Sequence, residues 1–454
     1  MAKEKTVSAN LTEGPVFQTL ITFSVPFMIS TILQTLYNTV DMMVVGSFVG
    51  KEGLSALSVG TQFMELITVF CIGFSSAGQV LISQYIGAGE RERSRKLTGT
   101  LTALMVFITL LFTAVGVIGC DSFLGWLNTP QESFAHAHSY VTICCAGILF
   151  TGLYNMVSAV FRGMGDSRHP LYFIAIASVV NIVLDLLFVA RFNWGAAGAA
   201  LATVIGQAVS VICSFIMLYR HQDLYLFPFD KSLFHPDLKT AATITKLGIP
   251  MALQTSAVHI SFLFVNSMVN ALGVTVSATF GASMKIRNLP NMVTQAVGMG
   301  ATAMMGQNIG AGKMDRVKKI YQGSFYVCTA ACLLFAVPYL TMPEGTFRLF
   351  TSDAAVLAYA KMCMFCILIE LPARFFMPGG GALINASGFV KLSTILGLCD
   401  AFVGRVFLTW FLGKYLDLGV FGYFLGYGLA TYVTAVPQLV YYLSGKWRKR
   451  GRLI

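Results

Sequence analysis

Charged residues are scarce in this sequence, and their scarcity indicates the class of protein. Asp, Glu, Lys and Arg make up 11% of the 454 residues, whereas soluble proteins carry roughly 25%. Hydrophobic residues reach 56%, and the mean hydropathy is +0.71. So few charges cannot cover the surface of a water-soluble protein of this length. The composition excludes a set of soluble domains and favours a protein whose solvent is lipid.

The motifs that bind ATP or carry out hydrolysis are also missing. Gly310-Ala-Gly-Lys313 looks like the end of a nucleotide-binding loop. Met314 follows the lysine, however, where Ser or Thr is needed, and Gln307 stands where the first glycine belongs. The sequence has no G-x-S-x-G and no H-E-x-x-H. We therefore expect that the protein is not an enzyme, that it has no cofactor and that its energy source is not ATP.

The net charge of +11 does not indicate nucleic-acid binding. Basic residues cluster between long apolar runs, as in Glu90–Lys96, Lys313–Lys319 and Lys446–Arg452. This is the pattern of cytoplasmic loops in membrane proteins. A nucleic-acid face needs basic residues interleaved with exposed aromatics on a soluble fold. The expected partners are membrane lipid and small molecules, with no nucleic acid.

Long apolar runs are what the sequence has in abundance. A membrane-spanning helix needs about 20 mostly apolar residues, and twelve such runs can be marked. The first six are Val16–Val45, Leu54–Leu81, Leu97–Cys120, Ser139–Val160, Leu171–Ala190 and Ala196–Leu218. The second six are Thr243–Ala271, Val276–Met305, Ile320–Leu340, Val356–Met377, Leu392–Leu412 and Val420–Leu443. The predicted fold class is an all-α integral membrane protein with 12 transmembrane helices.

The distribution of Lys and Arg predicts how these helices are oriented. With the N-terminus inside, the inner segments hold 22 basic residues and the outer loops hold four: Lys51, Arg191, Arg348 and Lys414. Cytoplasmic loops carry such an excess, so both termini are expected to be cytoplasmic. The first fifteen residues are polar and lack the apolar core of a signal peptide, so the first apolar run is expected to direct its own insertion.

An internal repeat divides the chain into two halves. Gln84–Arg93 (QYIGAGERER) returns 223 residues later as Gln307–Arg316 (QNIGAGKMDR), and Pro26 returns as Pro250. Each half has six helices, so both enter the membrane in the same sense and are related by a pseudo-two-fold axis along the membrane normal. The predicted domains are a six-helix lobe at 1–219, a cytoplasmic linker at 220–240, a second six-helix lobe at 241–445 and a basic tail at 446–454.

Several segments together resemble one family of transporters. They are Thr12–Pro26 (TEGPVFQTLITFSVP), the motif Gln34-x-x-Tyr37-Asn38-x-x-Asp41, Gln84–Glu90, Phe161–Pro170, Asn181–Asp185 and Gly195–Thr203. Across nearly the whole chain the sequence is similar to MATE (multidrug and toxic compound extrusion) transporters, and most similar to the DinF-like, archaeal-type branch. The resemblance implies a cation site at Asp41, Asn181, Asp185 and Thr203. It also implies a helix that bends at Pro26, a monomer, and a place in the plasma membrane of a prokaryote.

The residues themselves support a cation site. Asp41, Asn181, Asp185 and Thr203 are all expected in the outer half of the membrane, at about 1.5 Å of depth per residue. Ionisable groups at such depth are costly and are candidates for function. Two carboxylates that repel each other can take up a proton, and oxygens from all four residues can instead hold Na⁺. The alternative is that these are hydrogen-bonded structural residues at helix interfaces.

Other polar residues within the runs are secondary candidates for ion or substrate binding. These are Gln34, Asn38, Glu65 and Glu370, and Glu370 can instead form an ion pair with Arg374 one turn away. Lys285 and Asp400 receive no role. The second half has no counterpart of the acidic cluster, so the candidate site belongs to the first half alone.

The functional hypothesis is a cation-coupled antiporter, driven by H⁺ or Na⁺, that exports amphipathic and often cationic organic compounds by alternating access. The alternative is a flippase for lipid-linked precursors from the same superfamily, which twelve helices and an acidic cluster disfavour. A membrane-embedded enzyme would need a convergent catalytic set. A major-facilitator transporter would carry D-R-x-G-R-R between its second and third helices, where this chain reads Gln84–Lys96.

Overall fold

The computed structural model describes residues 10–127, 129–230, 236–450 and 453, and over these residues every regular element is helical. Twelve long helical segments follow one another. In the first half they are α1 (Val16–Phe48), α2 (Lys51–Ala88), α3 (Arg91–Ile118), α4 (Gln131–Ala146 and Ile148–Gly163), α5 (Arg168–Arg191) and α6 (Gly195–Arg220). In the second half they are α7 (Leu238–Asn270), α8 (Val274–Gly310), α9 (Met314–Thr341), α10 (Ala360–Ala386), α11 (Val390–Tyr415) and α12 (Gly419–Leu443). The predicted all-α class is confirmed.

Length and composition make most of these helices able to cross a membrane. Within the described ranges, ten qualify singly, and α4 qualifies as a pair of helices bent by 48°. The remaining segment, α8, has 37 residues but lower hydropathy, and it carries Lys285 and Arg287 in its middle. The helices also run past several predicted ends, for example to Phe48 in α1. Hydropathy marks only the part of a helix that lies in hydrocarbon, whereas backbone hydrogen bonding continues beyond it.

Contacts divide the chain into two compact units. Of the described residues, unit 1 contains Asn10 and those from Ile29 to Ala252, and unit 2 contains Leu11–Met28 and those from Leu253 onward. The division passes through α1 three residues after Pro26 and through α7 three residues after Pro250. The predicted lobe boundaries at 219 and 241 follow the sequence repeat and stay a prediction. Part of the predicted linker and tail, with Lys231 and Arg452, lies outside the described residues, as do Lys3 and Lys5.

The start of the described chain is held within unit 2 by the second copy of the repeated motif. Gln307 accepts a hydrogen bond from the backbone nitrogen of Leu11 at 3.2 Å, and Asn308 donates one to the Leu11 carbonyl at 3.0 Å. Arg316 donates to the carbonyls of Glu13 and Gly14, each at 2.9 Å. The motif therefore fixes the segment that leads into α1, which gives QNIGAGKMDR a structural role.

Replacing Arg316 with Ala is expected to loosen this segment. Hydrogen bonds from a charged donor contribute about 1.5–3 kcal/mol, so exchange of the backbone amides at 11–19 should accelerate by about 10- to 100-fold. Hydrogen exchange followed by mass spectrometry measures this change. Arg93, the repeat counterpart, is the matched control because its ion pair is with Glu90 at the surface. Equal exchange in Arg316→Ala and Arg93→Ala would contradict the assignment.

The linker is held within unit 1 by a cluster around Asp166. Tyr225 donates a hydrogen bond to the Asp166 carboxylate at 2.7 Å, and His169 pairs with the same carboxylate. Burial opposes ionisation of this group, but the bonds from His169 and Tyr225 outweigh it and hold the pKa of Asp166 below its usual value. This carboxylate therefore contributes stability above about pH 4, and the contribution is lost as the pH falls below that.

Candidate functional site

The four residues predicted to form the cation site all lie in unit 1. Asp41 is in the last third of α1, Asn181 and Asp185 are one turn apart in α5, and Thr203 is in the third turn of α6. The side-chain amide of Asn181 donates a hydrogen bond to the Thr203 hydroxyl at 3.3 Å. The carboxylates of Asp41 and Asp185 interact electrostatically. The structure thus pairs Asn181 with Thr203 through a hydrogen bond, and Asp41 with Asp185 through electrostatic interaction.

Close packing of α5 against α6 positions Asn181. Gly206, three residues beyond Thr203, lies where an added Cβ would come within 3.0 Å of the Ala177 carbonyl and 3.3 Å of Asn181 Cβ. A larger residue at this position would push the two helices apart. The absence of a side chain at Gly206 therefore permits the contact between Asn181 and Thr203.

The site is buried, and much of its hydrogen-bonding capacity is unused. Asp41 is 7% exposed, Asn181 3% and Asp185 0%. Among the described residues, neither carboxylate oxygen of Asp185 has a hydrogen-bond partner, and the same holds for Oδ1 of Asp41 and Oδ1 of Asn181. Buried polar oxygens are normally paired, and burying an unpaired carboxylate costs several kcal/mol. The cluster therefore contains four buried oxygens whose hydrogen-bonding capacity no described residue satisfies.

The backbone changes character at Asp185. The α-helical part of α5 ends at this residue, and Leu186–Arg191 continues as a π-helix. π-Helical turns are rare and are frequently found at functional sites, where they alter the direction of side chains. The second half shows the same feature near the equivalent position, where π-helical turns cover Cys399–Leu408 and Phe411–Tyr415 of α11. The repeat therefore preserves the irregular backbone although it does not preserve the carboxylate.

Three neighbours of Asp41 were missed as site residues by sequence reasoning. Tyr37, Tyr140 and Cys144 interact electrostatically with its carboxylate. Tyr37 was detectable in principle, because it precedes Asp41 by four residues on the same helix face. Tyr140 and Cys144 come from α4, and nothing in their spacing connects them to Asp41. They place two further polar side chains beside the carboxylate.

The secondary candidates lie in different environments. Gln34 is half-buried in α1, whereas Asn38 and Glu65 are exposed. Glu370 is buried in α10 and is not free: it forms ion pairs with both Arg374 and Arg287. The ion pair that the sequence offers between Glu370 and Arg374 is therefore present, and α8 supplies a second arginine that the sequence does not reveal.

The oxygen donors of the site suit a proton or a hard monovalent cation. The atoms available are carboxylate, amide and hydroxyl oxygens, the ligand types that bind hard cations. In the part of the chain that the structure describes, no three His, Cys, Asp or Glu residues come together as a metal site. Asp41, Asn181, Asp185 and Thr203 are the residues that would hold Na⁺, or Asp41 and Asp185 a proton.

Comparison of the sequence with families gives a match in each half of the chain. The sequence model described as MatE matches residues 26–187 and again 250–411. A probable multidrug resistance protein of Bacillus subtilis, YpnP, is 29% identical over 442 residues, which is 97% of either chain. The probable multidrug resistance protein NorM of Thermotoga maritima is 24% identical over 440 residues, covering 96% of this chain and 94% of its own.

Solved structures agree with the fold. A crystal structure of MATE in the straight conformation superposes with a TM-score of 0.90 at 22% sequence identity, covering 99% of this chain and all of the other. At this identity the likeness concerns the fold alone. The double match to the family model covers well over half of the residues, and its two copies start at Pro26 and Pro250, in the register of the internal repeat. The chain is a multi-pass membrane protein that belongs to the MatE family.

Proposed function

We propose that this protein is a cation-coupled antiporter that exports amphipathic, often cationic, organic compounds. Inward movement of H⁺ or Na⁺ would drive outward movement of the compound by alternating access. The buried, unpartnered oxygens of Asp41 and Asp185 carry this proposal, because they require a positive partner. The names of the relatives support the substrate class: two are called probable multidrug resistance proteins and another, in Staphylococcus aureus, a multidrug export protein.

The proposed coupling follows from the charge of the site. With both carboxylates ionised, unit 1 holds two buried negative charges, and a cationic compound or a coupling cation lowers their energy. Binding of H⁺ or Na⁺ to Asp41 and Asp185 removes that attraction for a cationic compound. Because each ligand weakens binding of the other, the two alternate at the site, which is the requirement for exchange.

Pro26 provides the proposed point of bending in α1. Proline lacks the amide hydrogen that an α-helix uses and commonly kinks a membrane helix. Pro26 is buried within α1, and the helix passes from unit 2 to unit 1 at Met28 and Ile29. Asp41 lies on the part of α1 beyond this point. A change in its charge is therefore proposed to change the bend at Pro26, with both termini cytoplasmic and the protein acting as a monomer in the plasma membrane.

Transport of ethidium by the purified protein in proteoliposomes tests the proposal. Ethidium is expected to accumulate in vesicles whose lumen is more acidic, or richer in Na⁺, than the outside, because the cation leaves as the dye enters. Imposing the pH and Na⁺ gradients separately identifies the coupling ion. A protonophore should abolish accumulation driven by H⁺ and not that driven by Na⁺. Accumulation equal to that in empty vesicles under both gradients would refute cation-coupled export.

A further inference from the structure

A second group of buried charges lies in unit 2, whereas the residues of the candidate cation site belong to unit 1. Glu370 of α10 forms ion pairs with Arg374 of the same helix and with Arg287 of α8. Arg374 also donates to the side-chain oxygen of Asn291 at 2.6 Å. Glu370 is 1% exposed and Arg287 6%. The two guanidinium groups thus share one carboxylate in the middle of long helices.

An aromatic ring connects this triad to a second ion pair. Arg405 of α11 donates to the Asp400 carboxylate at 3.0 Å and to the Tyr427 hydroxyl at 2.8 Å. The guanidinium carbons of Arg287 and Arg405 lie 4.4 and 5.2 Å from the centre of the Tyr427 ring, within the range of a cation–π contact. The five charged residues and Tyr427 are here called the arginine cluster.

The arginine cluster is not electrically neutral. Three guanidinium groups face two carboxylates, and the strongest electrostatic neighbours of Glu370 and Asp400 are members of the cluster. The excess charge lies on the triad, where Arg287 and Arg374 share Glu370. Nε of Arg287 and Nε of Arg374 are buried, and within the described part of the chain neither has a hydrogen-bond partner. An uncompensated charge with unused donors is costly in the membrane interior.

We propose that the arginine cluster binds a singly charged oxyanion, the carboxylate of a small amphiphile or the phosphodiester of an anionic lipid. Either group supplies the one negative charge that the cluster lacks. The free Nε–H donors of Arg287 and Arg374 suit oxyanions, because guanidinium groups present their donors in a planar fork. The side chain of Arg374 is 14% exposed and that of Arg405 is 22%, so these two guanidinium groups are not completely enclosed by the protein.

This inference goes beyond cation-coupled export and does not depend on it, because it is tested by equilibrium binding without an ion gradient. Rhodamine 110 and rhodamine 123 form a matched pair of probes: the second is the methyl ester of the first and lacks its carboxylate. Fluorescence anisotropy gives the Kd of each dye for the protein in phosphatidylcholine nanodiscs. The measured quantity is the Kd of rhodamine 123 divided by the Kd of rhodamine 110, here called the ratio.

Two variants should move this ratio in opposite directions. Arg374→Gln makes the cluster neutral and leaves Glu370 paired with Arg287, so the ratio should fall by about 10- to 100-fold, as expected for loss of charge-assisted hydrogen bonds. Asp400→Asn raises the excess charge, so the ratio should rise. A purely structural role would change the Kd of both dyes together and leave the ratio unaltered. Unchanged ratios in both variants would overturn the proposal, and size-exclusion chromatography checks that each is folded.

Lipid composition identifies the source of the oxyanion. If an anionic lipid occupies the cluster, phosphatidylglycerol in the nanodisc should weaken binding of rhodamine 110 to the wild-type protein and not to Arg374→Gln. If a small carboxylate is the ligand, phosphatidylglycerol should have no such effect while the ratio still responds to Arg374→Gln. Each result supports an oxyanion site. Should Arg374→Gln not fold, a ratio that fails to rise in Asp400→Asn overturns the proposal by itself.

Discussion

Gradient-driven accumulation of ethidium is expected to fall by about 5- to 150-fold when Asp41 is replaced by Asn. The substitution keeps the size of the side chain and removes the charge that is proposed to bind H⁺ or Na⁺. Linked binding sites are typically coupled by about 1–3 kcal/mol, and loss of this coupling should lower the steady-state accumulation of the dye by the corresponding factor. The fold should survive, because Asp41 forms no ion pair with any described residue. The steady-state ratio of dye inside to dye outside the proteoliposomes and melting curves of the purified variant measure the two effects.

Glu52 provides the matched control for this experiment. It is an exposed carboxylate in the first turn of α2 and belongs to none of the candidate sites. Glu52→Gln should transport like the wild type. Asp185→Asn should resemble Asp41→Asn, and the double variant should be hardly worse than either single one, because residues that act as one unit are not additive. Wild-type transport by Asp41→Asn would refute the assignment of the site, even if the protein proves to be an antiporter.

Loss of Glu370 is expected to have the largest effect on stability. Glu370→Ala leaves the guanidinium groups of Arg287 and Arg374 buried without their shared carboxylate. Breaking a buried ion pair by removing one partner typically costs about 3–5 kcal/mol. The melting temperature in detergent should fall sharply, and less folded protein should be recovered. Thermal unfolding followed by size-exclusion chromatography measures this loss.

A triple variant tests whether the loss of stability in Glu370→Ala comes from unpaired charges or from lost packing. Replacing the whole triad with apolar residues (Arg287→Met, Glu370→Leu and Arg374→Met) should recover most of the stability lost in Glu370→Ala. Buried ion pairs are often no more stabilising than well-packed apolar groups of similar size. Glu65→Ala, at an exposed position, should change stability by no more than about 0.5 kcal/mol. If Glu370→Ala is as stable as Glu65→Ala, Glu370 does not neutralise the two arginines.

The pattern of apolar runs and repeated motifs was sufficient to predict the fold class and the internal repeat. The family was predicted from the resemblance of several segments to known transporters. Twelve apolar runs predict long helices because a helix that faces lipid must be apolar over its whole length. The motif pairs at a spacing of 223 residues required nothing beyond the sequence. Helix ends were less accurate: α4 begins at Gln131 rather than Ser139 because its first turns are polar, and it bends at Gly147.

Local spacing reveals partners on one helix and conceals partners on different helices. Asn181 and Asp185 share a face of α5, and Glu370 and Arg374 share a face of α10, so both relations could be read from intervals of four residues. Arg287 and Glu370 are 83 residues apart, and only the packing of α8 against α10 brings them together. The same holds for the contacts of Arg316 with Glu13 and Gly14.

By itself the sequence determined that this is a two-fold repeated helical membrane protein with carboxylates at Asp41 and Asp185 in apolar surroundings. Those properties depend on composition and on local periodicity, which the chain displays whether or not it is folded. Only the tertiary structure decided which buried charges have partners. The negative charge of Glu370 is compensated by ion pairs with two arginines, whereas Asp185 has no hydrogen-bond partner among the described residues. The reason is physical: the cost of a buried charge depends on atoms a few ångströms away, and helix packing selects those atoms.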